Sequence, residues 1–246
     1  MDERCEKAAD TLRHARNAVA FTGAGISVES GIPPFRGPTG LWSRYSPEIL
    51  EIGFFMRHPE QSWKSIREIF YDFMQHTRPN AGHKFLAWLE ARGRLQGIVT
   101  QNIDNLHQSA GSRNVVEFHG SAGRLECTRC RSLFAASDVD LQPPVPECPK
   151  CGGLLKPDFV FFGEPIPPQA YEKAVALCRS ADCMLIIGTT GEIMPASRLP
   201  YLAPEACTVI EINIEPSAYT ETLTHLFLQE RATVAARKLK ALMGER

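Results

Sequence analysis

Residues 18–27 read AVAFTGAGIS, four apolar residues running into Thr22-Gly-Ala-Gly-Ile-Ser27. A strand that breaks at two glycines and restarts as a helix lets the backbone approach a pyrophosphate at a helix N-terminus. The same turn can also serve packing alone. It is not a full G-x-G-x-x-G, because Val28 holds the third glycine position and no acidic residue ends a second strand about 20 residues later. An ordinary dehydrogenase-type dinucleotide turn is therefore not expected.

Outward from this stretch, apolar and β-branched runs recur at residues 97–100, 115–118, 183–187 and 208–212, separated by helix-like segments. Strands alternating with helices imply a parallel sheet covered on both faces. The runs end in small or polar residues: Thr22-Gly23, Thr100-Gln101-Asn102, His119-Gly120, Gly188-Thr189-Thr190 and Asn213. In open α/β sheets ligands bind beyond the carboxyl ends of the strands, so one cleft would collect all five tips.

Two segments interrupt the alternation. One holds the loop GIPPFRGPTGLW from Gly31, then helical patterns over residues 59–74 and 81–91. Phe54, Phe55, Trp63, Ile66, Ile69, Phe70 and Phe73 read as the core of that helical module. The other carries Cys127-Thr-Arg-Cys130 and Cys148-Pro-Lys-Cys151, 17 residues apart. Each two-residue gap lets both sulfurs face one tetrahedral zinc at about 2.3 Å, and four thiolates leave no place for water, so the ion is structural. The QPPVPECPK stretch beside it is too rich in proline for helix or central strand. The expected fold is a Rossmann-like α/β sheet domain (residues 1–30, 93–119 and 158–246). Its smaller companion is built from a cofactor-loop and helical module (31–92) and a zinc ribbon (120–157).

The 246 residues, 43% of them apolar, suffice for one large and one small domain. A formal charge of −1 gives no basic footprint for a phosphate backbone. Even the ribbon, over residues 121–157, sets five basic residues against four acidic ones. The first 17 residues are charged with no apolar h-region, and no run reaches the ~18 apolar residues of a membrane span. A soluble, unsecreted, cytoplasmic protein is expected, with no membrane partner and no nucleic acid as main partner. Cys5, Cys178, Cys183 and Cys207 read as small buried hydrophobes in a reducing compartment.

GAGIS at 23–27, Ser-Gly-Ile-Pro-Pro-Phe-Arg at 30–36, Thr-Gln-Asn-Ile-Asp at 100–104, His119-Gly120 and Phe162-Gly163-Glu164 follow in this order around the four-cysteine ribbon. In this the chain resembles the sirtuins, NAD-dependent protein lysine deacylases, over nearly its whole length. The resemblance implies a cleft between the two domains, with NAD as co-substrate and acetylated lysines of proteins as partners. His119 would be the general base, since a pKa near neutrality suits taking a proton from a ribose hydroxyl. The acyl oxygen would attack C1′ of the nicotinamide ribose, and the 2′-hydroxyl activated by His119 would then carry the acyl group away as O-acyl-ADP-ribose.

Catalysis would also use Asn102, on the ribose or an ordered water, and Asp104, on the nicotinamide carboxamide. Read by itself, Asp104 could equally cap a helix starting near Asn105. The Ile103 backbone would line the same nicotinamide pocket. Gly23, Ala24, Phe35, Arg36 and Gln101 would surround the phosphates and nicotinamide ribose, although Arg36 read by itself could equally be a surface arginine. Gly188, Thr189, Thr190 and Asn213 would take the adenosine half. The peptide would lie extended between Val160, Phe162, Gly163 and Glu164 on one side and Glu192 and Ile193 on the other. The acids Glu164 and Glu192 would make that groove negative and favour basic residues beside the target lysine; equally, Glu192 could point to solvent and touch nothing.

Three departures mark this chain within the resemblance. Pro34 stands where an acid is usual, and the later motif reads Gly188-Thr-Thr-Gly-Glu-Ile-Met-Pro195. Ile66 and Ile69 fall about where succinyl-selective members carry a Tyr-x-x-Arg pair, so deacetylation is the expected reaction. Two rivals stand beside it: a mono-ADP-ribosyltransferase on the same fold, separable by acyl-peptide-dependent nicotinamide release, and a zinc-ribbon nucleic-acid binder, separable by salt-dependent DNA affinity.

Overall fold

The computed structural model describes residues 3–34, 40–72, 76–142 and 144–244. Its strands are β1 (Ala18–Thr22), β2 (Leu95–Thr100), β3 (Val115–Glu117), β4 (Gly120–Cys127), β5 (Leu133–Ala135), β6 (Leu155–Phe159), β7 (Cys183–Ile187), β8 (Thr208–Asn213) and β9 (Leu226–Gln229). Its helices are α1 (Glu3–His14), α2 (Ile52–Arg57), α3 (Pro59–Ile66), α4 (Ala81–Ala91), α5 (Leu106–Ser109), α6 (Pro168–Ser180) and α7 (Ala232–Met243).

The large sheet runs β3-β2-β1-β7-β8-β9, all parallel. Every residue of β1 and β7 is buried, as continuous apolar runs require when helices cover both faces. Side chains alternate between two cores with the period of a strand. Ala20, Ile98, Leu185 and Ile210 meet Leu12 of α1, Leu86 and Leu89 of α4 and Leu239 of α7. Val19, Phe21, Met184 and Ile186 meet Ala174 and Cys178 of α6 and the ring of Tyr219. All five expected runs are strands to within two residues. The edge strand β9 was not expected: its apolar run is only the three residues 226–228, and as an edge strand it buries only Leu228. The four cysteines outside the ribbon are buried. Burial pushes the thiols of Cys178 and Cys183 up to about 12 and that of Cys207 to about 11.

The small domain draws on both interruptions. β4 pairs antiparallel with β5 and β6, and β6 straddles the limit expected at residue 157. Phe55, Trp63, Ile66, Ile69 and Phe70 of the helical module share one core with Leu125 and Leu155 of the ribbon segment and with Phe159 and Phe161 just beyond its expected limit. Trp63 Nε1 donates to the Leu155 carbonyl at 2.9 Å, and the Phe70 and Phe159 rings meet edge to face at 5.1 Å. Each fully buried large side chain contributes about 1.5–3 kcal/mol, so the ribbon gains from the helices the core that its own short sequence lacks. Of the other residues expected there, Phe54 is half-buried and Phe73 lies outside the described residues. The pattern expected over 59–74 is an α-helix to Ile66, then a wider π turn over Arg67–Asp72.

Candidate active site and metal centre

The strand order reverses between β1 and β7, and the loops leaving these two strands cross there. A Cβ on Gly25 would stand 2.6 Å from the Cα of Gly188, and one on Gly23 would stand 2.8 Å from the Gly188 carbonyl oxygen. Gly188 has φ +64, and a Cβ on it would overlap the Ile26 amide. The glycines after β1 are therefore required by loop against loop, as well as leaving room for a ligand's phosphates.

A cavity of about 1070 Å³ opens at this switch point. From the strand tips it is lined by Gly23, Ala24, Gln101, Asn102, Ile103, His119, Gly188, Thr189, Thr190 and Asn213, so the structure brings together every described NAD-site candidate except Asp104. The sheet order strings them out from His119 beyond β3 to Glu230, Arg231 and Ala232 beyond β9. That last group went unforeseen with its strand. The small-domain wall is apolar, with Trp42, Leu50, Phe70, Phe159, Phe161 and Phe162. Phe35 and Arg36 lie outside the described residues.

His119 sits where the chain leaves the large sheet. Phe118 N–H donates to the Thr100 carbonyl, one step past the end of β3, and Gly120, at φ +77, starts β4. A Cβ on Gly120 would overlap the Asp158 carbonyl, which accounts for the glycine after the histidine. His119 Nδ1 lies 2.9 Å from the Gln101 carbonyl oxygen. A carbonyl only accepts, so Nδ1 carries the proton and Nε2 keeps its lone pair. Burial lowers the imidazole pKa below its ordinary value, partly opposed by the bond to Gln101, so burial favours the neutral ring.

Behind the glycine loop lies a buried polar chain that sequence reading passed over. Asn80 N–H donates to His83 Nδ1 as part of the cap of α4, so His83 Nε2 carries the proton and faces Ser27 Oγ at 3.3 Å. Ser27 also accepts from Asn102 Nδ2 at 3.2 Å, and donates to Asp104 Oδ2 at 2.6 Å. The other Asp104 oxygen accepts from Leu106 N–H at 2.9 Å, so Asp104 does hold the start of α5. Burial raises its pKa, opposed by the bonds from Ser27, Leu106 and Asn102. His107 Nε2 meets Thr22 Oγ1 at 2.9 Å, and its buried Nδ1 has no partner among the described residues. Burial lowers His83 to about 4 and His107 to about 3, so both are neutral near pH 7. The sequence signal for this chain was the Asn80-x-x-His83 cap spacing.

Further expectations meet the structure as follows. Asn213 Nδ2 donates to the Thr189 carbonyl at 3.0 Å, binding the β7 and β8 tips together. Val160, Phe162, Gly163, Glu164 and Ile193 line the cavity, while exposed Glu192 stands outside the lining and accepts from Thr190 Oγ1. The Glu164 carboxylate lies 3.0 Å from the Lys156 ammonium, so it does not leave the groove wall negative. Ile66 and Ile69 belong to the small-domain core; of that stretch it is Phe70 that reaches the cavity.

The four cysteine sulfurs of the ribbon lie within 4.8 Å of one another, with Cys127–Cys151 at 3.6 Å and Cys130–Cys148 at 3.7 Å. A tetrahedral zinc with Zn–S near 2.3 Å needs sulfurs about 3.8 Å apart. Both knuckles close the same way, Arg131 N–H to the Cys127 carbonyl and Gly152 N–H to the Cys148 carbonyl. Two further amides, of Arg129 and Cys130, point at Cys127 Sγ from 3.4 Å, as donors to a metal-bound thiolate do. The residues fit a structural zinc.

Such an arrangement places the chain among nucleotide-using α/β enzymes whose small domain is stapled by a metal. The Sir2 family model matches residues 23–195. The NAD-dependent protein deacylase 2 of Pyrobaculum aerophilum is 48% identical over 229 residues, covering 91% of this chain and 90% of that one. A mutant Sir2 homologue in complex with ADP ribose superposes with a TM-score of 0.91 at 37% identity, over 98% of this chain and 96% of that one. A Sir2 mutant with deacetylated p53 peptide and 3′-O-acetyl ADP ribose gives 0.88 at 34% identity, over 95% and 96%. This chain belongs to the Sir2 family.

Proposed function

We infer that this chain is an NAD-dependent protein lysine deacylase, acting foremost on acetyl-lysine and releasing nicotinamide and O-acetyl-ADP-ribose. The observation that carries the reading is His119: a neutral imidazole whose proton is fixed on Nδ1 by Gln101, lining the cavity beside the glycine loop. NAD supplies the glycosidic bond that breaks and the ribose that takes the acyl group. In this reading Nε2 of His119 takes the proton of the ribose hydroxyl that attacks the acyl carbon. Asn102 serves the nicotinamide side from the cavity lining, and Asp104, behind that lining, supports it through Ser27. The Ile103 backbone lines the nicotinamide pocket, Gly23, Ala24 and Gln101 serve the phosphates and adjoining ribose, a role assigned also to Phe35 and Arg36, and Gly188, Thr189, Thr190 and Asn213 hold the adenosine half. The acyl chain enters between apolar side chains, where water is excluded and the reacting groups are held in register. The peptide backbone pairs with segment 160–164, opposite Glu192 and Ile193.

The NAD-binding domain of this reading is residues 1–30, 93–119 and 158–246, and residues 31–92 and 120–157 form the small domain, whose core extends past that limit to Phe159 and Phe161. The substrates are acetylated proteins, and the enzyme works in the cytoplasm, where its eight cysteines remain reduced or metal-bound. Among the described residues no helix is long and apolar enough to cross a membrane. Nicotinamide release measured with and without an acetyl-lysine peptide tests the reading. Release that depends on the peptide supports it, and peptide-independent release with ADP-ribose left on protein would assign the chain to transfer instead.

A further inference from the structure

Lys156 is a lysine inside the small domain, only 6% exposed. Its ammonium has three protons and three acceptors: the Pro157 carbonyl at 2.9 Å, the Phe159 carbonyl at 2.8 Å and Glu164 Oε2 at 3.0 Å. The Phe161 ring covers the remaining side, its centroid 4.2 Å from Nζ. All these partners belong to the eight residues that follow Lys156, so the ammonium ties one stretch of chain back on itself. Glu164 tightens the tie, because the same Oε2 accepts from Phe161 N–H at 2.8 Å while Glu164 N–H donates to the Phe161 carbonyl at 3.0 Å.

The stretch so tied is the cavity wall. Val160 N–H donates to the His119 carbonyl and Phe162 N–H to that of Leu50, so the wall runs from the general base to the helical module. With Lys156 buried and Glu164 partly so, the pair gains little stability over apolar residues of the same volume, because desolvation offsets much of the attraction. Conformational specificity is the better account of this one, and the conformation it specifies is that of residues 159–164.

We propose that Lys156 is a positioning residue for the acyl-peptide substrate. It holds the backbone of residues 160–163 and the ring of Phe161 in the shape that receives the extended peptide and its acyl-lysine. The proposal rests on the deacylase reading above. Lys156 itself touches no substrate; it acts through Phe161 and Glu164.

The test compares wild type, Lys156→Met, Lys156→Arg and Glu164→Gln. Binding of a fluorescent acetyl-lysine peptide is followed by anisotropy, NAD binding by calorimetry, zinc by metal analysis, and turnover by steady-state kinetics. For Lys156→Met the expected result is a rise of at least tenfold in peptide Kd and KM, with NAD affinity within twofold and zinc retained; misplacing a bound group by about 1 Å can cost ~10²-fold. Lys156→Arg recovers at least half of the lost peptide affinity on the logarithmic scale. Glu164→Gln keeps an acceptor for Phe161 N–H but removes the charge, and raises peptide Kd at least threefold, which decides the matter if Lys156→Met does not fold. Peptide Kd within twofold of wild type in the folded variants, or an equal loss of NAD affinity, overturns the proposal alone. A wild-type protein that neither binds nor turns over the peptide overturns it together with the deacylase reading.

Discussion

Gly25 and Gly188 meet backbone to backbone where the loops after β1 and β7 cross, with no room for a Cβ on Gly25, which would stand 2.6 Å from the Gly188 Cα. The contact fixes the relative height of two strand tips that both line the cavity. Gly25→Ala should force the loops apart, lowering stability by roughly 1–3 kcal/mol and weakening NAD binding. Denaturant unfolding and NAD titration check both. An alanine variant with unchanged midpoint and affinity would mean that the crossing yields freely.

Acid should weaken the fold through His83 and His107. Their folded values, about 4 and about 3, lie below the ordinary 6.5. Between folded and unfolded values the unfolded chain binds more protons, so this stability is complete above pH 6.5 and declines as pH falls. The slope is about 1.4 kcal/mol per pH unit for each histidine. Urea midpoints at pH 7, 6 and 5 should show the decline, and His107→Gln should roughly halve it. A wild-type midpoint constant down to pH 5 would contradict the assigned burial.

How much of this was legible follows from where the signal lies. β1 and β7 are buried on both faces, so their apolar runs stand out, and the two Cys-x2-Cys pairs announce a tetrahedral site by spacing alone. β9 offers only the three-residue run 226–228, too short to stand out, and Glu230 and Arg231 at its tip were missed with it. Glu164 lines the cavity, but its charge environment was not legible, because nothing in a sequence reveals that Lys156, eight residues earlier, turns inward to meet it. Ile66 and Ile69 were matched by motif position. Ile66, at the end of α3, and Ile69, in the turn Arg67–Asp72, both face the core, and Phe70 of that turn joins the core while reaching the cavity.

Acyl choice should follow the apolar wall. Phe70, Phe159 and Phe161 offer no partner to a carboxylate, and the nearby Lys156 is already engaged by Glu164. Burying an unpaired charge is costly, so kcat/KM for succinyl-lysine peptide should fall at least about tenfold below that for acetyl-lysine. Equal values would require a cation reaching the channel.

Removing one zinc ligand should undo the ribbon, whose fold and metal binding are a single equilibrium. Cys148→Ala is expected to lose zinc and deacylation together and to lower the thermal midpoint. A metal-free variant with full activity would show that the helical module alone supports the small domain.

The most direct measurement follows products by mass spectrometry after incubation with NAD and an acetyl-lysine peptide, for wild type and His119→Ala across pH. Wild type should yield nicotinamide and O-acetyl-ADP-ribose in equal amounts, with the acid limb of kcat/KM below the ordinary histidine value of 6.5 because burial lowers the pKa of His119. His119→Ala should turn over roughly 10²–10⁴ times more slowly with NAD affinity within a few-fold. Nicotinamide released without O-acetyl-ADP-ribose, or deacetylation undiminished in His119→Ala, would contradict the account.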